Sequence, residues 1–180
     1  DNNNNFFAVN IDFFANIRYI KNRHITYWKV EEVDSMLYEK INYPDDFPIK
    51  ITIGNIAEYP AHYHQDIEFV YVLQGKIRLK NGYCHYSLKE GDIFTNSGHE
   101  VHSLTTESQD NTVAVIQVSN RFFTRYFPQL TRNCFRTYVN QDPGLQLDHL
   151  RQMLLSILLD YLRKSFNYKN QCIFMMIDVI

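Results

Sequence analysis

Three histidines and a glutamate hold most of the chemistry this sequence can do. In the stretch PAHYHQDIEFVYVLQG, residues 60–75, His62 and His64 stand one residue apart and Glu68 follows four residues after His64. A second polar stretch, GDIFTNSGHEVH, ends in His102. Side chains alternate along an extended chain, so His62 and His64 share a side. Glu68 opens the next extended run and shares a face with Val70 and Val72. Neighbouring strands lie only ~5 Å apart, so folding can bring His102 beside the other three. Three imidazoles and a carboxylate suit a borderline divalent metal: Zn, Fe, Mn or Ni. Such a site needs neutral imidazoles and releases its ion in acid. The same groups can instead hydrogen-bond a small ligand in a pocket, or be satisfied in the interior as structural polar groups. The residue types alone leave the three readings open.

The other histidines carry less. His99 lies in the loop before His102, exposed or at a pocket rim; His85 sits in mid-hairpin with a structural role; His24 and His149 belong to no cluster. No GxSxG, P-loop or GxGxxG is present, so nucleophilic and nucleotide chemistry find no support.

The elements that must position the four residues are strands. FPIKITIG begins at residue 47, and EFVYVLQG puts Phe69, Tyr71 and Leu73 opposite Glu68, which makes Tyr71 a poor pocket candidate. KIRLKNGYCHYSLKEGD reads as a hairpin about Asn81-Gly82, because both residues tolerate the positive φ of a type I′ turn. KEGD (89–92) and ESQDN (107–111) are further turns, and TVAVIQV (112–118) is a β-branched strand. Short strands between turns, without βαβ alternation, predict an antiparallel sandwich or barrel. Upstream, VEEVDSMLYEKI (30–41) has helical spacing at Val30, Val33, Leu37 and Ile41.

After residue 120 the pattern becomes helical. RFFTRYFPQL predicts a short helix stopped by Pro128, and DPG at 142–144 is a break. LQLDHLRQMLLSILLDYLRKS is a helix with a stripe of Leu150, Met153, Leu154, Ile157, Leu158 and Tyr161, widened by Leu155, Leu159 and Leu162. That arc exceeds one packing surface and predicts a homodimer through the C-terminal helices. NYKN (167–170) is a turn, and 171–180 is a further helix, buried or facing a partner.

Composition bounds the rest. The 180 residues suit one domain with an attached helical piece, and the net charge of −2 with no Lys/Arg block argues against gripping a nucleic-acid backbone unaided. Cys84, Cys134 and Cys172 are odd in number and form no CxxC, which predicts buried, inert thiols in a reducing cytoplasm. No signal peptide precedes the strands, and no apolar run reaches the ~20 residues that span a membrane. A chain opening on Asp1 reads as a piece of a longer protein.

The spacing H-x-H-x3-E-x6-G, from His62 to Gly75, resembles the first cupin motif. Gly91 to His102 resembles the second, with Ser97 in place of its proline, His99 of its second glycine and Thr106 of its final asparagine. HYHQDIEFVYVLQGKIRL, YSLKEGDIFTNSGHEVHSL and DNTVAVIQVSNRFFTRYFPQL, followed by helices, resemble the ligand-sensing domain of AraC-family transcription regulators. That resemblance implies a mainly β, jelly-roll cupin barrel, then α-helices forming a dimerisation unit. It also implies a helix-turn-helix domain that reads DNA, which this sequence does not contain. The expected organisation is an N-terminal extension (1–46), a barrel sensor (47–120) and a helical dimerisation segment (121–180). The expected function is effector sensing without catalysis, with His62, His64, Glu68 and His102 as the ligand or metal site. The alternative is a metal-dependent cupin enzyme, a dioxygenase or isomerase.

Overall fold

Two-residue periodicity builds two facing sheets, and helices cover the outer side of one. The computed structural model describes residues 37–44, 46–108, 110–131 and 147–180. Its strands are β1 (Leu37–Tyr38), β2 (Ile49–Gly54), β3 (Glu58–Tyr63), β4 (Ile67–Gln74), β5 (Lys76–Asn81), β6 (Cys84–Lys89), β7 (Ile93–Asn96), β8 (His102–Thr106) and β9 (Thr112–Val118). The helices are α1 (Asn120–Phe123), α2 (Leu147–Arg163) and α3 (Tyr168–Val179), with a 3-10 turn at Pro128–Thr131. One sheet has the order β1-β3-β8-β5-β6, the other β2-β9-β4-β7. All pairs are antiparallel except β1 with β3.

Alternation sorts each strand's residues between two cores. Val70 and Val72 of β4, Phe94 of β7 and Val113 of β9 turn inward and meet Ile77, Leu79, Leu88 and Leu104 of the other sheet. The opposite faces of β2, β4 and β9 carry Ile49, Ile51, Phe69, Tyr71, Ile116 and Val118, which pack with Leu154, Ile157 and Leu158 of α2 and Cys172 and Met176 of α3. Each fully buried aliphatic or aromatic side chain stabilises the fold by about 1.5–3 kcal/mol. Arg151 of α2 adds a polar tie, its Nε–H donating to the Gly91 carbonyl at 2.8 Å.

Several expectations change. The sheets pack as a sandwich and do not close into a barrel: among the described residues no strand of one sheet pairs through its backbone with a strand of the other. In the described part of the helix expected over 30–41, Leu37 and Tyr38 form strand β1 by pairing with His62 and Tyr63, and 39–41 are irregular. Residues 30–36, the DPG break, Cys134 and His24 lie outside the described residues. The β5–β6 turn is Gly82–Tyr83, since Asn81 pairs with Cys84; only Gly82 takes positive φ, +55°. Helix α1 ends at Phe123, five residues before Pro128, which instead opens the 3-10 turn. The expected turn at 167–170 reduces to Asn167, with φ 65°, and the last helix begins at Tyr168. Cys172 is buried as expected, and burial, then the charge of Asp160, pushes its thiol up to about 12. Cys84 is exposed: it shares a face with Tyr86 and Leu88 but stands at the hairpin end of the edge strand β6, beyond the core that they reach. Among the described residues no helix is long and apolar enough to cross a membrane.

Candidate metal and ligand site

The four predicted residues meet at one end of the sandwich interior, and each arrives by a different local device. Tyr59 of β3 pairs with Leu104, but His62 pairs with His102, so β3 carries one extra residue at Pro60–Ala61. This bulge lets Tyr59 and His62 both approach the site despite their odd spacing. His64 follows just after β3. Glu68 is an inward position of β4, directly opposite Asn96 of β7 and Gln117 of β9. His102 begins β8 after a loop that docks on the His64 segment, with the His99 N–H donating to the His64 carbonyl at 2.6 Å. A Cβ on Gly98 would lie 2.3 Å from the Gln65 carbonyl oxygen. His99 has φ 72°, a left-handed conformation that favours glycine, and it stands where the cupin motif has its second glycine.

The geometry prepares all four groups as donors. His62, His64, Glu68 and His102 are each 2% exposed or less, and their ligating atoms lie within 4.8 Å of one another. That is close to the ~4 Å that two ligands at ~2.0–2.2 Å from a shared ion can span. Each imidazole is fixed through Nδ1 to a backbone carbonyl: His62 to Pro60 at 2.9 Å, His64 to Asp66 at 2.9 Å, His102 to Glu100 at 2.8 Å. A carbonyl only accepts, so Nδ1 bears the hydrogen and a neutral ring turns a bare Nε2 lone pair to the site. Nε2 of His64 lies 3.3 Å from Glu68 Oε2, and Nε2 of His102 lies 3.2 Å from Glu68 Oε1. His102 Nε2 is buried, and its approach to the carboxylate lacks hydrogen-bond alignment. Lone pairs and a carboxylate gathered in this way repel one another unless a cation lies among them. This orphaned atom and the donor set fit a divalent transition metal.

Without a metal, protons must balance the charge. Burial pushes the Glu68 carboxyl up, but the closely placed His102 and His64 rings outweigh it and hold it well below the usual carboxylate range. Burial presses His102 down, yet the Glu68 carboxylate beside its Nε2 leaves it above the ordinary histidine value. His62 moves the other way, lowered first by burial and then by the charge of His102.

Residue patterns alone did not bring out the supporting groups. Asn96 Nδ2 donates to Glu68 Oε1 at 2.9 Å, and Gln117 Nε2 donates to Oε2 at 3.0 Å, fixing both oxygens. A signal for Gln117 existed: it breaks the inward series Val113, Val115 in an otherwise apolar strand. Glu39, just after β1, has Oε2 at 3.6 Å from His62 Nε2 and accepts from Gln117 Nε2 at 3.3 Å. Nothing in its segment announces it. Beside the cluster a cavity of about 200 Å³ runs between the sheets, with His62, Glu68, Glu39 and Gln117 in its wall. Asn111 pins the loop at its mouth, accepting from the Ile56 N–H and donating to the Ile56 carbonyl, both at 2.8 Å. His99, His85 and His149 are exposed and stand apart from the cluster.

The two facing sheets thus enclose a buried three-histidine, one-glutamate cluster that could hold a metal ion, beside an internal cavity. Residues 52–118 match the family model described as "Cupin domain", so the chain carries a cupin domain over that span. Similar solved structures include a Cupin 2 conserved barrel domain protein from Salinispora arenicola, at 12% identity and TM-score 0.41 over 60% of this chain and 100% of that one. Another is a cupin-2 domain containing protein from Shewanella frigidimarina, at 14% and 0.41 over 57% and 91%. A third is KdgF from Halomonas sp., at 20% and 0.35 over 41% and 81%. No curated protein matches the chain.

Proposed function

We infer that this is a metal-centred small-molecule sensor, the effector-binding part of an AraC-type transcription regulator. One observation carries the metal assignment: three imidazoles, each fixed through Nδ1, turn Nε2 with one carboxylate into a buried space 4.8 Å across. A bound divalent metal supplies Lewis acidity and positions for a ligand oxygen or nitrogen. The chain's own residues do the rest. Asn96 and Gln117 orient Glu68, and the carbonyls of Pro60, Asp66 and Glu100 fix the imidazole tautomers. The cavity has room for a small molecule beside His62, and the four side chains of the cluster are themselves buried.

The sensing role rests on where β4 lies. Glu68 faces the site, and Phe69, its neighbour in sequence, packs in the core shared with α2 and α3. A ligand that prefers one arrangement of this strand therefore shifts the helices with it. In this reading the broad apolar arc of α2 and the apolar α3 form a homodimer, and DNA is read by a helix-turn-helix domain outside this sequence. The protein turns nothing over. A second reading, a metal-dependent cupin enzyme such as a dioxygenase or isomerase, is favoured by Tyr59 and Glu39, which line the cavity where an acid or base could reach a ligand.

Calorimetric titration of chelator-treated protein with Zn²⁺, Mn²⁺, Fe²⁺ and Ni²⁺ tests the assignment. We expect one equivalent of at least one ion, abolished by His64→Ala and by His102→Ala in variants that keep the wild-type circular dichroism. Equal binding in those variants would contradict it. Effector-dependent stabilisation without product formation favours the sensor, and turnover of a bound molecule favours the enzyme.

A further inference from the structure

The cavity beside the cluster has two unlike ends. At the polar end Glu39, just after β1, faces Lys50 of β2. Lys50 Nζ lies 3.8 Å from Glu39 Oε1, too far for a direct hydrogen bond, and among the described residues the ammonium makes none. Glu39 is held from behind by Gln117 Nε2 on its other oxygen. Ile56, Leu104, Val113 and Val115 line the cavity as well and supply its apolar wall.

We propose that the Glu39–Lys50 pair selects a small carboxylic acid bearing a hydroxyl or amino group on the carbon next to the carboxylate, with a short apolar tail. The assignment rests on the reading of the cavity as a ligand site beside a metal, because the ion offsets Glu68 and leaves Glu39 and Lys50 as a matched pair of opposite charges. The ligand carboxylate meets the Lys50 ammonium, and the neighbouring O–H or N–H donates to Glu39. Set across the 3.8 Å gap, these groups give the Lys50 ammonium the hydrogen bond it lacks and add a donor to Glu39 beside that of Gln117. A plain fatty acid would turn a methylene to Glu39 and desolvate that carboxylate without adding a donor to it. A polyol would leave the ammonium without an anion. A cavity of about 200 Å³ excludes larger ligands.

Calorimetry of the zinc-loaded chain with four probes tests this: 2-hydroxy-3-methylbutanoate, valine, 3-methylbutanoate and xylitol. We expect the hydroxy acid or valine to bind at least about tenfold more tightly than the other two, the size of a lost charged hydrogen bond. The stronger of the two tells hydroxyl from amine. Lys50→Met and Glu39→Gln each cut that affinity about tenfold, and Lys50→Arg keeps the preference. Lys50 is about a third exposed, so its replacement spares the core, and zinc stoichiometry is measured on every variant. Equal binding of xylitol, or no effect of Lys50→Met, overturns the proposal. One equivalent of zinc with neither hydroxy acid nor valine bound also overturns it and leaves the metal reading standing. Failure to bind any of Zn²⁺, Mn²⁺, Fe²⁺ and Ni²⁺ overturns both.

Discussion

The two ends of the sandwich interior are built from the same strands and solve opposite problems. At one end Val70, Val72, Leu79, Phe94 and Val113 form a dry core. At the other, the next inward positions of the same strands are Glu68, Asn96 and Gln117, and His62, His64 and His102 join them from the facing sheet. The change takes one step of two residues, from Val70 to Glu68 on β4, from Phe94 to Asn96 on β7 and from Val115 to Gln117 on β9. The apolar end stabilises by excluding water. The polar end buries charge whose compensation depends on a proton or an ion, which makes it a poor way to stabilise a fold and a good way to hold a metal.

The largest effect expected from breaking this contrast is at the apolar end. Phe94→Ala should cost about 3–5 kcal/mol in urea unfolding and leave the metal stoichiometry of the folded protein unchanged. The polar end should behave in reverse. Glu68→Leu combined with His102→Leu should abolish metal binding and leave metal-free stability unchanged or raised by about 1–4 kcal/mol. A large loss in that double variant would mean that the cluster is structural. Gln117→Leu comes next: it frees one Glu68 oxygen and should weaken metal binding about 10–100-fold by calorimetry, with little change in metal-free stability.

The smallest effect is on pH dependence. His102, raised in the folded state, stabilises the metal-free protein below its unfolded value of about 6.5 and loses that contribution as pH climbs through its folded value. His62, lowered, costs stability over the same acid range, because the unfolded ring takes a proton that the folded ring resists. The two oppose each other, so His62→Gln should unmask a fall in thermal midpoint as pH rises above about 6.5 in metal-free protein. Excess Zn²⁺ should remove that fall, since the ligated imidazoles are already neutral.

Local pattern revealed much of this arrangement. Alternation in EFVYVLQG and TVAVIQV assigned nearly every inward and outward residue, and the histidine and glutamate spacing located the cluster. Pairing between distant segments stayed hidden. Leu37 belongs to a helical spacing with Val30, Val33 and Ile41, yet it and Tyr38 form a strand because β3 offers an edge, and that pairing brings Glu39 to His62. The bulge at Pro60–Ala61 and the left-handed His99 are likewise set by contacts far along the chain. Whether the sheets close depends on how their edges meet, which alternation does not encode.

X-ray absorption spectroscopy of the zinc-loaded protein tests the central claim most directly. The account predicts three imidazole nitrogens at ~2.0–2.1 Å and a carboxylate oxygen at ~2.0–2.2 Å, with that shell lost in His102→Ala. A shell of oxygens without imidazole scattering, or a spectrum unchanged in that variant, would contradict it.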